Sequence, residues 1–215
     1  QKKVYIDTAI ALHALCYYYK PNCNYDNYFF RTTYSLIEYC RKSSLKLYIP
    51  EFYQWEAQNH VRDALNLIPF TFLPNFNKLG KSSNVFYNFY LFLNQDCAGE
   101  QLSYESFLGK FGFKIYDSYK THNQIISKYL SDLGIFNYEL EYEYNIEEAT
   151  KLIQSQLIID TKYKTKFGLN NDGIMLEFLA HDNVDVHPLK PVFVTWDRTF
   201  FKIQGKYFDK FPTSQ

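Results

Sequence analysis

The chain has 215 residues, 47% hydrophobic and 21% charged, with a formal net charge of zero. That length supports one well-buried domain, and the charge balance argues against a surface that wraps nucleic acid by bulk positive charge, while leaving room for an acidic pocket with a basic rim. The four cysteines (Cys16, Cys23, Cys40, Cys97) lack CxxC pairing and matching histidine pairs, which disfavours zinc and a disulfide framework and points to reduced thiols in a cytoplasmic protein.

In chain order, Val4 to Ile6 reads as a short buried strand ending at Asp7. "TAIALHALCYYY" and "YFFRTTYSLIEYCRKS" follow with helical spacing. "LKLYIP" is a second strand, closed by Pro50, and "EFYQWEAQNHVRDALNLI" a helix with Glu51 in its first turn. From Pro69 to about Gly112 the pattern is less regular, with "NVFYNFYLFLNQ" helical and "CAGEQLSYESFLGKFGF" a loop and short helix. "YDSYKTHNQIISKYLSDLG" is a helix with a glycine stop. "NIEEATKLIQSQLIID" and "NNDGIMLEFLAHD" are two more, Pro191 to Trp196 is the last convincing strand, and "KIQGKYF" adds a short edge strand.

This order predicts an α/β fold with a mainly parallel sheet and crossover helices, in a single domain over residues 1–215 with a helical insertion at about 69–144. No apolar run reaches membrane-spanning length, and the N-terminus lacks the apolar region and cleavage site of a signal peptide. The absence of an initiator Met suggests a processed chain or a domain of a longer one. The 21 Tyr and 20 Phe read first as a large aromatic core and second as stacking platforms for single-stranded nucleic acid.

Four acids draw the functional reading. Asp7 and Asp197 each follow a strand, Glu56 lies about a turn and a half into the helix after "LYIP", and Asp172 opens the helix "NDGIMLEFLAH". Ligands of an open parallel sheet bind beyond the carboxyl ends of its strands, so the four can converge on one edge. Converging carboxylates repel unless a cation neutralises them, and oxygen donors suit a hard divalent ion, Mg²⁺ or Mn²⁺, one or two in number. The chemistry to match is metal-assisted attack of water on a phosphodiester. Each acid also has a structural role to weigh: Asp7 and Asp172 as helix caps, Glu56 as a solvated helix residue, and Asp197 as an Asx-turn residue before Thr199.

These segments, "VYIDT", "IPEFYQWEA", "NNDGIMLEFLA" and "FVTWDRTF", resemble the four acidic motifs of PIN-domain nucleases, in order. The resemblance implies a three-layer α/β/α sandwich and a Mg²⁺- or Mn²⁺-dependent endonuclease, with RNA the favoured substrate and DNA the alternative. It makes Asp7, Glu56, Asp172 and Asp197 the metal ligands and catalytic acids. Thr195, before the last acid, then supports the metal site, Thr8 supports the first acid, and Asn171 is compatible with the metal shell. The chain is longer than a compact PIN domain, mainly between the Glu56 and Asp172 motifs.

Arg198 is placed to bind a phosphate or to make a surface ion pair. Lys162, Lys164 and Lys166 alternate before Asp172 as a phosphate track or a solvated face. His60, four residues after Glu56, shares its helix face and is a candidate for substrate contact. The alternative function is a catalytically silent PIN-like module that binds nucleic acid or protein. An antitoxin or other protein partner and a homo-oligomer remain open. A phosphatase-like fold would place two aspartates around one residue after the first strand, where this chain has "DTA". No P-loop, dinucleotide fingerprint or nucleophile elbow is present.

Overall fold

The computed structural model describes residues 3–21, 23–78, 80–96, 102–140, 143–182 and 191–208. Cys97, and with it the loop expected to start there, lies outside them. Four strands form one parallel sheet: β1 (Lys3–Ile6), β2 (Lys46–Pro50), β3 (Ile135–Tyr138) and β4 (Val192–Val194), in the order β3-β2-β1-β4. The helices are α1 (Thr8–Tyr19), α2 (Tyr28–Lys42), α3 (Glu51–Leu65), α4 (Val85–Asp96), α5 (Tyr104–Lys110), α6 (Tyr119–Asp132), α7 (Glu147–Ile159), α8 (Lys166–Asp182) and α9 (Arg198–Phe208). The fold is thus α/β with a parallel sheet, as the alternation of elements predicts. Helices α1, α2, α3, α4 and α6 pack largely among themselves, as do α7, α8 and α9, a grouping consistent with three layers.

The sheet grows from β1 through β2 to β3 and then reverses, so that β4 returns to the free side of β1. The reversal makes β1 and β4 the topological switch point, where the connections leaving adjacent strands diverge to opposite faces and open a crevice at the carboxyl end. The register pairs Ile6 with Val194, so Asp7 and Thr195, each one residue further on, face each other across that crevice.

Two expectations need correction. The segment expected as a helical insertion at about 69–144 carries α4, α5 and α6 among its described residues but also supplies β3, paired in parallel with β2 from Ile135 to Tyr138. Gly134, at φ 79°, ends the preceding turn and admits the strand. "KIQGKYF" is not an edge strand but the body of α9. Phe200, Ile203 and Tyr207 recur at helical spacing and are all buried, and Gly205 lies where an added Cβ would meet nothing within 4 Å.

The aromatic content is mostly core. Tyr19, Phe86, Phe89, Tyr104, Phe107 and Phe111 interlock between α1, α4 and α5, with Phe107 in edge or tilted contact with Tyr19 at 5.5 Å, Tyr90 at 5.7 Å and Phe111 at 5.4 Å between ring centres. The described cysteines, Cys16, Cys23 and Cys40, are free.

Candidate active site at the carboxyl edge of the sheet

Asp7 leaves β1 and caps α1. One carboxylate oxygen accepts the Ile10 N–H at 2.9 Å, and the other accepts the Thr195 hydroxyl at 2.6 Å and the Trp196 N–H at 3.4 Å. The capping role and the site role therefore coexist in one side chain. Thr195 follows β4, and its hydroxyl oxygen also accepts the Asp197 N–H at 2.9 Å. One hydroxyl thus links the first acid to the last. Asp197 accepts the Thr199 N–H at 2.8 Å on one oxygen, the turn geometry expected of an Asx residue, and points the other at Lys164.

Asp172 is not at a helix start. Helix α8 begins at Lys166, with the Thr165 hydroxyl accepting the Gly168 N–H at 3.1 Å as its cap, so Asp172 lies in the second turn and caps nothing. Its carboxylate takes the Tyr53 hydroxyl at 3.0 Å and the Lys164 ammonium. Tyr53, one turn before Glu56 on α3, was not apparent as a site residue from the sequence. Its ring stacks on Phe193 of β4, with ring centres 5.8 Å apart and planes 5° from parallel, which fixes the hydroxyl. The only signal for it in the sequence is the three-residue spacing from Glu56, which puts both on one helix face.

Glu56 is held apart from this pair. Thr8 donates towards it at 3.0 Å and the Asn171 amide at 3.2 Å. Both supporting residues thus serve Glu56: Thr8 does not support Asp7, its neighbour in sequence, because the helical turn carries its hydroxyl over to Tyr53 O and Glu56 on α3.

Of the expected substrate-binding residues, Lys162, Lys166 and Arg198 are exposed, the first two flanking Lys164. Lys164 is no part of an exposed track: its ammonium bridges Asp172 and Asp197 with the side chain 28% exposed. His60 is half-buried, offers its backbone carbonyl to Asn84 at 3.0 Å, and among the described residues its ring makes no hydrogen bond or ion pair with the acids.

The electrostatics divide the acids. Burial pushes Asp7 above the ordinary carboxylate range, partly offset by Thr195 and the two backbone N–H groups. Burial raises Asp172 to about 6 against the pull of Lys164. Burial also opposes ionisation of Asp197, but Lys164 and Thr199 outweigh it and hold this acid below its usual value. One ammonium leaves its two partners on opposite sides of the ordinary range because Asp172 is the more deeply buried. Burial, then the neighbouring acids, keeps Tyr53 protonated, so it remains a donor.

The site thus sets four carboxyl groups, Asp7, Glu56, Asp172 and Asp197, against the single ammonium of Lys164. By donor chemistry carboxylate oxygens suit a hard divalent ion, and Asp172 and Asp197 are the two acids that share one cation, the Lys164 ammonium. Among the described residues, no three His, Cys, Asp or Glu side chains are gathered on one point. The place between Asp172 and Asp197 is taken by the ammonium.

Beside Asp197 stands an aromatic group. Trp196 lies 6.1 Å from Tyr28 and 5.8 Å from Phe29 between ring centres, and Tyr28 is 67% exposed. The Trp196 indole N–H finds no partner among the described residues. A separate cavity of about 770 Å³, lined by Lys46, Leu47, Gly134 and Phe136 among others, opens at the opposite, amino end of β2 and β3, away from these acids. No helix among the described residues is long and apolar enough to cross a membrane. Compared with protein-family models, curated proteins and solved structures, the chain matches none, and the functional reading rests on the site itself.

Proposed function

We propose that this chain is a PIN-like, Mg²⁺- or Mn²⁺-dependent endonuclease that hydrolyses phosphodiester bonds in single-stranded RNA. The observation that carries the reading is the linkage of three acids at the carboxyl edge: Thr195 joins Asp7 to the backbone of Asp197, and Lys164 joins Asp197 to Asp172. In this reading Asp172 and Asp197 hold the metal, with Asp7 and Glu56 completing the acidic edge. When bound, the ion would supply Lewis-acid activation of a water and of the phosphoryl group. Thr195 keeps Asp7 and Asp197 in register with each other, Tyr53 orients Asp172 by donating to it, and Thr8 and Asn171 orient Glu56.

Exposed Arg198, Lys162 and Lys166 supply positive charge for phosphates. Tyr28, Phe29 and Trp196 offer faces on which unpaired bases stack, which favours a single strand over a duplex. The Lys164 ion pairs favour a second reading, in which the ammonium permanently occupies the place between Asp172 and Asp197 and the domain binds nucleic acid or a protein without cleaving.

Labelled single-stranded RNA, single-stranded DNA and duplexes, incubated with Mg²⁺ or Mn²⁺, separate the two. The nuclease reading expects metal-dependent cleavage that Asp7→Asn and Asp197→Asn both abolish. Cleavage that survives both changes removes the proposed site, and nucleic-acid binding without cleavage selects the second reading.

A further inference from the structure

The place of Lys164 is unusual for a lysine. Its ammonium contacts one oxygen of Asp172 and one of Asp197, so it stands where a cation bridging those two carboxylates belongs. Lys164 comes from the short segment between α7 and α8, not from either strand that carries the switch-point acids. That segment is anchored at both ends. Asp160 is bonded to Lys202 and Gln156, Thr161 adopts a left-handed φ of 52°, and Thr165 caps α8. Between the anchors the Lys162 N–H closes α7 on the Leu157 carbonyl at 2.9 Å, Tyr163 is 88% exposed, and Tyr163 and Lys164 lie outside any helix or strand. A four-carbon stem on such a segment can swing its head group to water without disturbing the core.

We propose that Lys164 is the resident counter-cation of the acidic edge: its ammonium holds Asp172 and Asp197 side by side in the metal-free protein and yields that place when a divalent ion binds. The inference rests on the metal-site reading above. The exchange has a driving force and a cost. A divalent ion brings two charges to a cluster that a single ammonium leaves under-neutralised. Against this, the ion must break two close ion pairs that already exist, so the lysine lowers the apparent affinity for metal. It is a positioning residue, acting through the two carboxylates, and it keeps the empty site folded instead of letting like charges push it open.

Two measurements test this. In the wild-type protein, amine-reactive labelling read by peptide mass spectrometry compares Lys164 with exposed Lys162 and Lys166. Lys164 should label slowly without metal and several-fold faster when Mn²⁺ saturates the protein, with the other two unchanged. Separately, Mn²⁺ binding followed by electron paramagnetic resonance should be about tenfold tighter in Lys164→Met than in wild type, on the scale of coupling between two competing ligands, and Lys164→Arg should restore the weaker binding. Wild-type binding of Mn²⁺ with unchanged Lys164 labelling overturns the proposal alone, as does a folded Lys164→Met that binds no tighter. No Mn²⁺ binding by wild type or by Lys164→Met overturns both the proposal and the metal-site reading. The labelling arm uses no variant, so a Lys164→Met chain that fails to fold does not protect the idea.

Discussion

Two buried regions of this molecule solve opposite problems. Between α1, α4 and α5, rings meet rings: Phe107 alone touches Tyr19, Phe89, Tyr90, Tyr104 and Phe111. No single contact there is indispensable, because the stabilisation is area removed from water and each ring has several neighbours. At the carboxyl edge of the sheet the contacts are directional and few. Asp7, Asp172 and Glu56 each depend on particular hydroxyl, amide or ammonium donors, and burial still leaves Asp7 and Asp172 reluctant to ionise. Stability is gathered in the first region and held under electrostatic tension in the second, the division expected where a reactive site is maintained against folding preference.

The comparison can be broken most sharply at the acids. Asp197→Asn and Asp7→Asn should lower cleavage by roughly 10³-fold or more, the scale of a group acting in a catalytic set, while circular dichroism stays unchanged. Retained cleavage would mean the edge is not the reaction site. Phe107→Ala should do the reverse, destabilising by about 3–5 kcal/mol in denaturant titration with normal cleavage per folded molecule. Phe107→Leu, which keeps most of the volume, should cost far less.

Gly173→Ala probes the packing of α8 on α7 directly behind Asp172. Its new Cβ would stand 2.8 Å from Thr150 Cγ2 and 3.3 Å from Ile146 Cβ, so overpacking should cost about 1–3 kcal/mol, and Thr150→Ser in the same chain should recover part of it. Tyr28→Ala touches neither region's interior. It should leave the melting temperature alone and weaken single-stranded RNA binding by about 1–2 kcal/mol, measured by fluorescence anisotropy without divalent metal, with duplex binding unaffected.

The last effect concerns pH. A carboxyl whose folded pKa is raised binds more protons in the native state, so its contribution to stability falls as pH rises from the unfolded value, 3.8, through the folded one, about 6. Asp172→Asn lacks that loss. Its stability relative to wild type should therefore rise by about 1 kcal/mol between pH 4 and pH 7, checked by urea unfolding of both proteins at the two ends.

What the sequence discloses follows the same division. Asp7 and Asp197 are legible because a strand that ends on an acid places it at the sheet edge whatever follows. The parallel order of the sheet is legible from alternation of elements. β3 is not, because "IFNY" is four residues long with no alternation in burial and sits directly behind a helix. The true start of α8 is hidden because Thr165, not an Asn or Asp, caps it. Thr8 and Tyr53 are misassigned or missed for one reason: a hydroxyl bonds to what is near in space, and Thr8 reaches across 48 residues to Glu56 while Tyr53 reaches across 119 to Asp172. Lys164 is visible as a basic residue, but nothing local says that two carboxylates face it.

The hydroxyl bond from Thr195 to Asp7 spans 188 residues, and β4 pairs with β1. During translation, Asp7 emerges long before Thr195. Its partner strand, the threonine that aligns it and the last acid all leave the ribosome together, long after the aromatic mass has been made. Until that late strand docks, the acidic edge has no Thr195, no Asp197 and no place for Lys164 to bridge. The acidic edge is therefore completed only once β4 docks on β1, and under the proposed nuclease reading a chain interrupted before that strand has no site to cut with.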